Sequence, residues 1–150
     1  MRLTHLVKAL ALAAVATLAV TGTAVAAKSH AVNSTGKVSA VASQGSKTIA
    51  VGWFNGAPFG ADTVALFKTA VQAGKLKSTF VAYNSHGSIR GTATQTSTPQ
   101  PDGSAKLAGT GKVLGGTGAY QGATGNLTVS GTQPKGSTVI SYRLAGSLRY

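Results

Sequence analysis

Gly109-Thr-Gly-Lys-Val-Leu-Gly-Gly-Thr-Gly-Ala-Tyr-Gln-Gly-Ala-Thr-Gly-Asn-Leu-Thr-Val-Ser-Gly131 is the stretch whose reading decides the fold. Small or apolar residues alternate with polar ones on both sides of a glycine-rich middle, Gly115, Gly116 and Gly118, continued by Gly122 and Gly125. Glycine reaches positive φ at little steric cost, so the run predicts one strand, a structural corner and a second strand.

Alternation continues in both directions from this corner. Upstream, Leu107, Gly109, Gly111 and Val113 share one face, with Lys106, Thr110 and Lys112 on the other. Downstream, Pro134-Lys-Gly136 turns the chain into a last strand with Ile140, Tyr142, Leu144, Leu148 and Tyr150 on one face and Arg143 and Arg149 opposite. Pro99-Gln-Pro-Asp-Gly103 is a turn in which proline presets φ, Asp102 bonds its own backbone and glycine takes the left-handed position. Before it, Ile89, Gly91 and Ala93 oppose Arg90, Thr92 and Thr94. Before the turn Asn84-Ser-His-Gly87, Leu76, Ser78, Phe80 and Ala82 oppose Lys75, Lys77 and Thr79.

The first half is less regular. Asp62 to Gly74 fits a helical stripe as well as a strand with an irregular end, and we favour the strand. Val38–Ser43 and Lys47–Phe54 form a hairpin about Gln44-Gly45-Ser46. Trp53, Phe54 and Phe59 are expected to pack one end of the core. Residues 27–37, small and polar, read as a flexible leader containing a solvated His30. Eight strands result, so the fold class is all-β: an eight-stranded antiparallel β-barrel over residues 38–150, closure hiding the sheet edges.

Residues 1–26 have the pattern of a signal peptide: Arg2 and Lys8, an apolar run from Ala9 to Val20, then Ala24-Val-Ala26. Secretion is the expected address, with no membrane-spanning segment in the mature chain. Without cysteine there is neither a disulfide nor a lipid-modified cysteine after the leader. Cleavage removes two basic residues and no acid, which takes the formal charge from +12 to +10. Such an excess favours an anionic polymer or cell-envelope surface as partner. The few aromatics do not interleave with the basic positions, so specific nucleic-acid binding is not expected.

The chemistry candidates are few. His86 lies in a turn, Asp62 has no evident partner, and Tyr83, Tyr120 and Tyr142 are expected to pack with satisfied hydroxyls. No catalytic residue can be assigned, and no metal set or cofactor is implied by two mature histidines and two aspartates. The run Gly115 to Gly118 lacks the lysine and the following helix of a phosphate loop. The basic residues Lys75, Lys77, Arg90, Lys106, Lys112, Arg143 and Arg149 are predicted on the barrel's outside. Phe80, Leu107, Ile140 and Tyr142 are predicted to line an inner ligand cavity, glycines leaving it room.

Gly115-Gly-Thr-Gly-Ala-Tyr-Gln-Gly-Ala-Thr-Gly125 resembles the GGTG-aromatic segment of the allene oxide cyclase and dirigent superfamily. Gly87-Ser-Ile-Arg-Gly91, Pro101-Asp-Gly103 and Ala57-Pro-Phe-Gly60 look like parts of a bacterial secreted barrel-like member, the likeness running over about residues 38 to 150. It implies an eight-stranded barrel with a central cavity for a small hydrophobic ligand, a homo-oligomer, and, in plant members, cyclisation or radical-coupling chemistry. This chain has no glutamate or cysteine, so the acidic groups of those activities are mostly missing. The expected function is therefore non-catalytic binding, of a small ligand or of a cell surface or polyanion. An isomerase or cyclase acting in the cavity is the alternative.

Overall fold

The computed structural model describes residues 26–150; all but the last residue of the expected signal peptide lies outside them. Eight strands follow one another: β1 (Ser29–Gln44), β2 (Lys47–Ala57), β3 (Gly60–Gln72), β4 (Lys75–Asn84), β5 (Gly87–Pro99), β6 (Ala105–Gly118), β7 (Thr124–Gln133) and β8 (Val139–Arg149). Each pairs antiparallel with its sequence neighbour, and β1 pairs with β8 to close the barrel. Closure leaves no row of unpaired backbone groups at an edge.

The turns sort into two ends. Gly45-Ser46, Ala73-Gly74, residues 100–104 and residues 134–138 lie at one end. Pro58-Phe59, Ser85-His86 and residues 119–123 lie at the other, together with Lys28 and Tyr150. The last two residues exchange backbone hydrogen bonds of 3.0 and 3.2 Å.

The period-2 pattern sets what faces inward. In β4, Ser78, Phe80 and Ala82 are buried while Lys75, Lys77, Thr79 and Tyr83 are exposed. In β5, Ile89, Gly91, Ala93 and Gln95 are buried between exposed neighbours. The stretch 62–74, readable two ways, is strand to Gln72 and turns at Ala73-Gly74.

Three expectations are corrected. Residues 29–37 are not a loose leader but the first half of β1, paired to β2 and β8. Their inward residues Val32 and Ser34 are buried, and the Ser34 hydroxyl donates to the Asn55 carbonyl at 2.9 Å. Within this strand His30 stacks on Tyr150 with ring centroids 4.2 Å apart. Trp53 points outward and is 55% exposed, whereas Phe54 and Phe59 are buried. Alternation places consecutive residues on opposite faces, so Trp53 and Phe54 cannot both pack inside.

The third correction concerns the corner. Gly115 and Gly116 belong to β6, opposite Arg90 and Ile89, and the reversal is made by Gly118 (φ 61°) and Gly122 (φ 71°). The register steps between Arg90 and Gly91, so Leu114 bulges outward. A bulge of this kind sharpens local twist and bends the strand. A Cβ at Gly116 would collide with the Tyr120 and Ser88 carbonyl oxygens, so close approach, not positive φ, requires glycine there.

Candidate functional site

Inside the barrel is a cavity of about 410 Å³. Its two ends differ. At the end that carries Lys28 and Tyr150, Leu148, Val113 and Ala123 are fully buried, and Tyr120 and Phe59 pack against each other with ring centroids 6.3 Å apart. Asn84 fastens this floor. Its amide nitrogen donates to the Phe59 carbonyl (2.9 Å) and the Tyr120 hydroxyl (2.8 Å), while its oxygen accepts from the His86 backbone N–H (2.9 Å). The Thr63 hydroxyl donates to the same Phe59 carbonyl at 3.2 Å.

At the opposite end the lining residues Ala40, Ser97 and Thr138 are exposed to solvent, so the cavity opens there. Thr48, Thr69 and Ser78 make this end polar, the last two sharing a 2.8 Å hydroxyl–hydroxyl bond. Between rim and floor the wall is apolar. Phe54, Phe67 and Phe80 form a tilted row with successive centroids 6.1 and 6.2 Å apart, and Ile89, Leu107 and Leu127 complete the surface.

Glycines on neighbouring strands accommodate the large side chains. A Cβ at Gly91 would lie 2.6 Å from Phe80 Cζ, and one at Gly131 would lie 2.8 Å from the Tyr142 ring. These glycines therefore hold rings flat against the wall, which differs from the expectation that they simply leave empty room. The lumen is kept because each ring occupies the place of a missing side chain.

Phe80, Leu107, Ile140 and Tyr142 all line this one cavity. Burial pushes the Tyr142 hydroxyl up to about 12, the neighbouring Gln95 side chain opposing the rise. Gln95 was not singled out by the sequence, although extending the inward series Ile89, Gly91, Ala93 by one more step reaches it. It is 7% exposed, its Oε1 has no hydrogen-bond partner among the described residues, and its side chain lies against Gly109. A Cβ at Gly109 would sit 2.9 Å from Gln95 Cγ. Asn84 was likewise missed as more than a turn residue.

Other candidates lie outside the cavity. His86 is exposed in its turn; Asp62 is exposed with φ 67°. Asp102 accepts from the Ser104 hydroxyl (2.6 Å) and backbone N–H (2.9 Å), which hold it below the usual carboxylate range. Tyr83 is 51% exposed, and Tyr120 belongs to the floor. Lys75, Lys77, Arg90, Lys106, Lys112, Arg143 and Arg149 are all exposed. They lie on β4, β5, β6 and β8, five of them on the adjacent strands β4 to β6. Trp53, Val64 and Tyr83 lie in register across β2, β3 and β4, an outward apolar row with Leu66 beside it.

No family model, curated protein or solved structure matches the chain.

Proposed function

We propose that the protein is a non-catalytic, secreted binding protein for a small hydrophobic molecule held inside the barrel. The observation that carries this reading is the cavity itself: about 410 Å³, apolar along its wall, sealed at one end and open at the other. Small-molecule sites commonly span about 300–1,000 Å³, with a few polar groups among apolar lining. The likeness to the allene oxide cyclase and dirigent superfamily belongs to the same proposal, as does the homo-oligomer it implies.

The lining favours binding over turnover. Acid–base chemistry needs a group that titrates near the working pH, within reach of substrate. Among the described residues Tyr142 is the titratable one in the lining, and its proton is held to about 12. Asp62 and His86, the nearest alternatives in kind, are exposed in or beside turns. Binding to an anionic polymer or cell envelope is the second reading, supported by twelve exposed lysines and arginines among the described residues.

Native mass spectrometry of protein recovered from its own secretion medium tests the two readings. A defined apolar molecule released on denaturation supports the cavity. An empty barrel that binds an anionic polymer and releases it in salt moves the working surface to the exterior.

A further inference from the structure

We infer that the outer face of β2, β3 and β4 docks on an anionic phospholipid bilayer, with Trp53 and Tyr83 entering the headgroup layer and the surrounding basic residues meeting lipid phosphates. This site is independent of the cavity and narrows the second reading above, an anionic partner at the exterior, to one kind of surface.

Strand register builds the face. Trp53, Val64 and Tyr83 stand directly opposite one another across the three strands, and Val51, Leu66 and Val81 form the next row toward the mouth. Trp53, Val64, Leu66 and Tyr83 are exposed, and Val51 and Val81 are half-buried between them. Their inward neighbours Phe54, Ala65 and Ala82 are buried in the core, so alternation turns the apolar series outward, where none of the described residues covers it. Elsewhere the outward positions are polar: Thr92 and Thr94 on β5, Thr128 and Ser130 on β7. A contiguous apolar patch with a polar rim marks a contact surface for a protein or a membrane.

The rim is basic on three sides. Lys37 of β1 stands opposite Trp53, Arg90 of β5 stands opposite Val81, and Lys68 of β3 is one outward step beyond Leu66 toward the mouth. Lys47 and Lys77 follow in the next row, on either side of Ala70. On the floor side lies the exposed Asp62, the one acid on these strands. Tryptophan and tyrosine suit the boundary of headgroups and acyl chains, where one end of the ring is apolar and the other wet. Lysine and arginine lay their alkyl stems along apolar surface and hold the charge at phosphate level, each adding to the attraction of an anionic bilayer.

Other occupants fit less well. Two copies packed face to face would bring one basic rim against the other, with two acids in the chain to set against twelve exposed lysines and arginines among the described residues. A soluble polyanion would meet the rim but leave Trp53, Val64 and Leu66 in water.

Trp53 is the chain's single tryptophan, so its fluorescence reports on this face alone. The test titrates the protein recovered from its secretion medium with vesicles of phosphatidylcholine, alone or with about 30% phosphatidylglycerol. The expected result is a blue shift of Trp53 emission with the anionic vesicles, and partitioning at least about tenfold stronger than onto the neutral ones. Val64→Thr with Leu66→Thr, and separately Lys37→Gln with Arg90→Gln, should each weaken that partitioning about tenfold. No shift with either vesicle, an equal response to both, or unchanged partitioning in the Val64→Thr, Leu66→Thr variant overturns the assignment. Binding of dextran sulfate but not of the vesicles, with Trp53 emission unchanged, keeps the exterior reading and removes the bilayer. A shift that follows protein concentration without lipid gives the face to a second copy and also overturns it. Should a variant not fold, quenching of Trp53 in the unmodified protein by lipids brominated in their acyl chains decides the matter, absence of quenching counting against insertion. The cavity reading stands or falls separately.

Discussion

The barrel's two ends are built from the same alternating strands and differ in what their inward positions carry. At the floor, Leu148, Val113, Phe59 and Tyr120 are large and interlocked, and Asn84 ties two turns together through satisfied hydrogen bonds. At the mouth, Thr48, Ser97 and Thr138 are small and polar, and the amide of Gln95 waits below them with one atom unpaired. The floor is a packed core; the mouth is a vessel. One closed sheet can therefore concentrate close packing at one end and leave the other open.

Breaking that division should cost most at the floor. Leu148→Ala is expected to destabilise by about 2–5 kcal/mol, the range for emptying a filled apolar site. Chemical denaturation measures it; a loss below 1 kcal/mol would mean the floor is not the core it looks to be.

The Tyr142 proton sharpens the comparison from the other side. Below pH 10 the phenol is neutral in both folded and unfolded chains and adds no pH dependence. Between pH 10 and about 12 the unfolded chain gives up the proton first, so stability should fall as pH rises, by up to about 3 kcal/mol. Tyr150, also pushed up by burial, adds in the same direction. Tyr142→Phe should flatten most of this fall; denaturation curves at pH 9 and 12 that differ equally in both proteins would assign it elsewhere.

Asn84→Ala should cost about 1–3 kcal/mol by stranding the Tyr120 hydroxyl. Asn84→Asp, which loses the donors but keeps the acceptor for His86, separates the two roles. Smallest of all, Thr138→Ala at the rim should stay within about 0.5 kcal/mol. A larger loss at the rim than at Asn84 would reverse the assignment of the two ends.

Much of this arrangement was legible in the sequence where the alternation is chemically loud. Phe80, Ile89, Leu107 and Val113 stand out against lysines and threonines, and they set the face of β4, β5 and β6. The start of β1 was not legible, because its inward residues include Ser34 and Gly36, which carry no hydrophobic signal. Phe54 lies over Gly36, so the apolar surface there comes from the neighbouring strand. Trp53 misled through its chemistry, as aromatics usually fill cores. Gln95 escaped because a polar side chain at an inward position carries no hydrophobic signal. The pairing of β5 with β6 continues past it as far as Pro99 and Ala105.

The mutual hydrogen bonds of Lys28 and Tyr150 hold these two residues together beside the floor. A dye, bead or solid support coupled through Tyr150 would thus leave the mouth facing away from the attachment. Anything attached at Tyr150 is held on the side of the barrel opposite the cavity's opening.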